Sequence, residues 1–137
     1  MSLYLCVFDQ GREVDGIDAG ACSDFNAFRH FVTKQLEGGQ AGSRFPTLIL
    51  HSDCSGEWSA DACACLGGEL RAIEAAMREM PPVEFPSDWQ RDLAQSLGRR
   101  PHSALDCFLD TDGEPLVEHL IRLSNTARAL RQAIFFQ

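Results

Sequence analysis

The residues with the most chemistry to offer stand together in LILHSDCSGEWSADAC, Leu48 to Cys63. Imidazole and thiol are the usual zinc ligands, and His51, Cys54, Cys63 and Cys65 supply both in the spacing H-x2-C-x8-C-x-C. His51 and Cys54 could also form a thiol nucleophile and its base. Each reading makes demands the sequence does not meet. Cys63 and Cys65 fall in a predicted helix, where side chains two apart diverge by about 200°, so one ion can hardly use both. Cys63 also fits an apolar stripe, the place of a small buried hydrophobe. A nucleophilic thiol needs an orienting partner and an oxyanion hole, and the chain has no G-x-S-x-G elbow or local cysteine-enzyme signature. Walker and G-x-G-x-x-G loops are missing too. In the third reading His51, Ser52, Asp53, Cys54, Gly56, Glu57 and Trp58 form the polar joint between a strand and a helix. Asp53 and Ser55 can bond nearby N–H groups, Gly56 can take positive φ, and Trp58 can staple the helix start. This reading accounts for the most residues. A metal- or thiol-dependent enzyme centred on His51 and Cys54, with Cys63 as a further metal candidate, is the alternative.

The elements around that joint can be read from periodicity and punctuation. Leu3 to Phe8 is a strand with apolar residues on both faces, and DQGRE turns it into a return strand carrying Ile17, Ala19 and Ala21. A helix follows, capped by Ser23 or Asp24, striped by Phe25, Phe28, Val32 and Leu36, and ended by Gly38–Gly39. FPTLILH reads as the middle strand. Ser59 caps a long helix with Cys63, Leu66, Leu70, Ile73, Met77 and Met80 on one side, in which Gly67–Gly68 marks close packing. Pro81–Pro82 stops it. Ser87 and Gln90 suggest a capping box for a short helix bearing Trp89 and Leu93. The last helix should run from about Glu114, with Pro115 in its first turn, to about Arg131, and AIFFQ reads as a closing strand. The expected fold is α+β (mixed α/β): a small mixed β-sheet with an N-terminal hairpin and a C-terminal strand, covered by about four helices. One domain over residues 1–137 is expected, because no linker or repeat interrupts the pattern.

Charge narrows the partners. The formal net charge of −8 over 137 residues disfavours nucleic acid and anionic membrane, which would repel the chain; it either favours encounter with a basic protein or serves solubility alone. The start, MSLYLCVFDQ, lacks a basic n-region, and no apolar run reaches the ~18 residues of a membrane span, so a cytoplasmic product with mostly reduced cysteines is expected. DTDGE, Asp110 to Glu114, matches only part of a calcium loop and reads better as a turn and helix start. Asp106, Asp110, Asp112, Glu114 and Glu118 follow one another with no Lys or Arg between them, and Asp9, Glu13, Asp15 and Asp18 form a second acidic group. Asp110, Asp112, Glu114, Glu118, Asp15 and Asp18 are the candidates for contact with a basic partner. The bland alternative for each is a solvated turn or helix-start carboxylate. Trp58 and Trp89 fit the core better than an interface.

RFPTLILHSDCSGEWSADAC, with LGGELRAIEAAM after it, resembles the H-S-D-C-x-G-E-W signature of the immunity protein 70 family of bacterial polymorphic toxin systems. The likeness continues through SDWQRDLAQSLG, LDCFLDTDGEPLVEHLIRL and the terminal FFQ, nearly the whole chain. Ser55 departs from it, standing where an acidic residue is expected. The resemblance implies a cytoplasmic antidote that binds and neutralises a cognate toxin, with no catalysis and no cofactor. A structural homodimer of unknown role is a third reading of the sequence.

Overall fold

The N-terminal alternation becomes a hairpin of β1 (Ser2–Asp9) and β2 (Arg12–Ala21). Between them Gln10 and Gly11 both take positive φ, 52° and 77°, the pair of conformations that a two-residue turn needs to match strand twist. The computed structural model describes residues 2–52 and 54–137. In chain order the remaining elements are α1 (Cys22–Leu36), α2 (Pro46–Ile49), β3 (Glu57–Trp58), α3 (Ala60–Arg78), α4 (Asp88–Ser96), a 3-10 turn at Ala104–Cys107, α5 (Leu116–Leu130) and β4 (Ile134–Phe136). The sheet has the order β2-β1-β4-β3 and every pairing is antiparallel, so the chain's last strand returns between its first and its middle one. The expected α+β architecture, hairpin and closing strand are all present.

One face of the sheet carries the core. Leu3, Leu5 and Val7 of β1, Ile17 and Ala19 of β2, and Ile134 and Phe136 of β4 join the stripes of α1, α3 and α5 in one buried cluster. Phe25, Phe28 and Val32 are the buried side of α1, and Cys63, Leu66, Leu70, Ile73 and Met77 that of α3, as their spacing requires. Truncating a fully buried leucine such as Leu70 to Ala would cost roughly 3 kcal/mol. Gly67 lets α3 approach α5: a Cβ there would lie 3.3 Å from the Ser124 hydroxyl. Gly68 faces open space. Among the described residues, no helix is long and apolar enough to cross a membrane.

The stretch from Phe45 to His51 corrects the expected middle strand. Pro46 to Ile49 is a helical turn, and the strand that pairs with β4 is Glu57–Trp58 instead. Proline suits the first turn of a helix, and Phe45, Leu48 and Ile49 at i, i+3 and i+4 are buried together. The free N–H groups of Thr47 and Leu48 are taken by the Glu69 carboxylate of α3, at 3.1 and 3.0 Å. A carboxylate from a later helix thus does the capping. The expected box on α4 also fails. The Ser87 hydroxyl makes no capping bond, while buried Gln90 turns its Oε1 to the Leu109 N–H, 2.8 Å away. At α1 the cap runs backward, from the Ala21 N–H to the Asp24 carboxylate at 2.8 Å. Ser59 caps α3 as expected, accepting the Ala62 N–H at 3.1 Å.

Candidate functional site

The joint of the opening motif turns out to be held by backbone. The His51 ring nitrogens each lie 2.8 Å from a carbonyl oxygen, Nδ1 from that of Ser52 and Nε2 from that of Glu57. The ring stacks on Phe136 at 4.4 Å and leans on Trp58 at 5.1 Å. Arg29 of α1 donates to the carbonyls of Ile49 and His51, at 2.5 and 2.9 Å. Ser52 and Ser55 bond through their hydroxyls at 3.2 Å, and Gly56 takes a φ of 91° that a side chain would resist. Trp58 is buried, with its indole N–H donating to the Thr47 carbonyl at 2.9 Å. Asp53 lies outside the described residues. The motif is therefore a helix–turn–strand–helix joint rather than strand–turn–helix.

Cys54 is not a free thiol. It is joined to Cys22, the first residue of α1, across a Cα–Cα distance of 5.9 Å within the ordinary disulfide range. The expectation of mostly reduced cysteines does not extend to this pair; the fold brings the turn against the start of α1, which spacing along the chain does not reveal. Cys6, Cys63, Cys65 and Cys107 are free. Cys63 points its sulfur toward the Trp58 carbonyl at 3.8 Å, and burial pushes its thiol up to about 11. His51, Cys54 and Cys63 each have a structural partner and do not present three donor atoms to one point.

The chemistry of the chain gathers elsewhere. Asp110 closes the DTDGE turn: its Oδ1 accepts the N–H groups of Asp112 at 2.9 Å and Glu114 at 3.1 Å. Its Oδ2 lies 2.7 Å from Nδ1 of His119, and both side chains are buried. His119 Nε2 looks across to Asp15 of β2 at 3.8 Å. Glu114 pairs with Arg122 and lies 3.4 Å from the same imidazole. The Thr111 N–H donates to the Asp18 carbonyl at 3.0 Å, which fastens the turn to the edge of β2. Along that edge, Asp15 and Asp18 fold back onto the N–H groups of Gly16 and Gly20, at 2.8 and 3.0 Å. His119 is pulled toward its charged form chiefly by the hydrogen bond to Asp110, against burial and aided by the charges of Asp110 and Glu114.

This arrangement unites the two acidic groups that the sequence shows far apart. It also sorts them. Asp110 is only 1% exposed and serves the turn from inside. Asp112 is exposed, Asp15, Asp18, Glu114 and Glu118 are half-buried, and Glu118 meets Arg78 at 3.1 Å. His119 and Arg122 escaped the sequence reading; three residues apart on a helix directly after an acidic turn, they carried a detectable signal. Asp110, Glu114 and His119 could each offer an atom to a cation, all within 4.8 Å of one another. Those atoms already bond among themselves, to backbone N–H groups and to Arg122, so the cluster acts as an internal ion-pair network with an acidic outer rim.

Residues 3–136 match the family model described as immunity protein 70. No curated protein and no solved structure matches the chain.

Proposed function

Because the chain belongs to the immunity protein 70 family, whose members neutralise a cognate toxin and are not enzymes, we propose that it does so by stoichiometric contact through its acidic surface. The observation that carries the binding mode is the union of the β2 edge with the DTDGE turn: Thr111 bonds the Asp18 backbone and His119 lies between Asp15 and Glu114, so Asp15, Asp18, Asp112 and Glu114 border one joint, and Glu118 follows on α5. Arg122 and Arg78 offset Glu114 and Glu118, and the acidic excess that Asp15, Asp18 and Asp112 leave attracts a basic partner over about a Debye length and speeds its encounter. The partner is thus a basic toxin domain, met in the cytoplasm, and residues 1–137 act as one immunity-type domain without a cofactor. Asp110 and His119 serve this surface by positioning: they fix the turn that carries Asp112 and Glu114.

The test is co-expression with the toxin encoded beside the gene, paired with titration of the purified partners at two salt concentrations. Rescue of growth is expected, with an association rate that falls as salt rises and falls further for Asp112→Lys. Absence of binding and rescue against every adjacent toxin candidate refutes the proposal. Binding that ignores both salt and Asp112→Lys refutes the acidic mode alone.

A further inference from the structure

The helices cover the sheet face that carries Leu3, Leu5 and Val7, whereas on the face away from that core Tyr4 and Phe8 are half-buried and Glu13, Glu57 and Phe135 exposed. Residues opposite each other in antiparallel strands share a face, so Glu57, Phe135 and Cys6 lie in one row across β3, β4 and β1. Tyr4 and Phe8, two residues to either side of Cys6, flank that row. Phe8 and Phe135 meet edge to face at 6.1 Å, and Phe135 is 36% exposed, one of the few large apolar side chains in the molecule to be so. Cys6 is fully buried yet stands apart from the main core, its thiol 3.9 Å from the Phe135 carbonyl. Tyr4 lies across the strand over Gly16, where a Cβ would collide with the phenol, and donates its hydroxyl to Glu13 at 2.8 Å.

We infer that this aromatic face is the anchoring surface for the toxin, and that it receives a lysine- or arginine-bearing segment laid across Tyr4, Phe8 and Phe135. The inference rests on the immunity reading and extends it from the acidic edge onto the neighbouring sheet face. Charge complementarity selects the occupant. Glu13 and Glu57 stand on opposite sides of the rings, and both are exposed. A cation over an aromatic ring is held by the ring quadrupole, and a nearby carboxylate completes its pairing. Rigid aromatic groups with little side-chain entropy to lose are the usual anchors of an interface. A second copy of this chain fits the face less well, because it would bring acidic rims together on molecules of charge −8.

The variants are Glu57→Lys, Phe135→Ala and their combination, with Asp112→Lys as the edge control. Each is titrated calorimetrically against the purified C-terminal domain of the toxin encoded beside the gene, after circular dichroism has shown an unchanged fold. The expected result is at least a tenfold loss of affinity for each sheet-face variant and a larger loss for the pair. Affinities within twofold of the native protein overturn the inference. If Asp112→Lys is weakened in the same series, the immunity reading survives that result. No binding by the native protein overturns both together. Self-association of the native protein that Glu57→Lys abolishes overturns the assignment of a toxin to this face.

Discussion

Replacing His119 by Gln and Asp110 by Asn, singly and together, isolates the bond that holds the acidic turn to α5. The Nδ1–Oδ2 distance of 2.7 Å is that of a charge-assisted hydrogen bond, and both groups are out of solvent. Such a bond contributes about 1.5–3 kcal/mol, so a double-mutant cycle should return a coupling near 2 kcal/mol. Asn at position 110 keeps an oxygen for the N–H groups of Asp112 and Glu114, which leaves the turn closed and the cycle specific. The sign with pH follows from linkage. The folded state raises the histidine above its ordinary 6.5, so this stabilisation is complete below that value and declines as pH rises through the folded value. Urea unfolding followed by circular dichroism from about pH 5.5 upward should show a coupling that declines towards roughly half as the imidazole loses its charge and only a neutral N–H donates. At the low end of that range either single variant should melt about 6–10 °C below the native protein. A coupling below about 0.3 kcal/mol, or one that grows with pH, would refute the assigned pairing.

Other perturbations test other joints. Glu37 at the end of α1 is buried, which disfavours its charge, but the N–H groups of Gly42, Arg44 and Phe45 and the Thr33 hydroxyl outweigh that and hold its carboxyl below the usual range. Glu37→Ala should cost about 2–4 kcal/mol. The wild-type contribution is full above the ordinary 4.5 and is lost as pH falls through the depressed value, so acid unfolding should be shallower in the variant. Gly16→Ala should swing Tyr4 off Glu13 at a cost under about 1 kcal/mol, since a flexible ring yields easily. Tyr4 is the sole tyrosine, and ultraviolet titration should show its hydroxyl, now pushed up to about 12 chiefly by the bond to Glu13, ionise nearer 10. Opening the Cys22–Cys54 bond releases a closure spanning 32 positions and should lower stability by about 3–4 kcal/mol. Thiol counting in denaturant should rise from four to six on reduction, and a constant six would exclude the bond.

Local regularities determined much of this molecule before any contact was known. The stripe Cys63, Leu66, Leu70, Ile73 and Met77 had to lie along one side of a helix, because backbone geometry fixes residues three and four apart on one face. The same logic placed the hairpin, α1, α5 and the closing strand, and the Ser59 cap needs only a donor three residues on. Family membership was legible in the HSDCSGEW motif, whose His51 bonds the carbonyls of its near neighbours Ser52 and Glu57. What required the tertiary structure was every bond whose partners are distant in sequence. Glu69 reaches back to make Pro46–Ile49 a helical turn rather than a strand, Gln90 leaves its cap for Leu109, and Cys54 finds Cys22. Asp15 meets His119 only because α5 packs against β2. A short apolar run or a lone carboxylate is compatible with several conformations. The side chain that arrives from elsewhere in the fold decides between them.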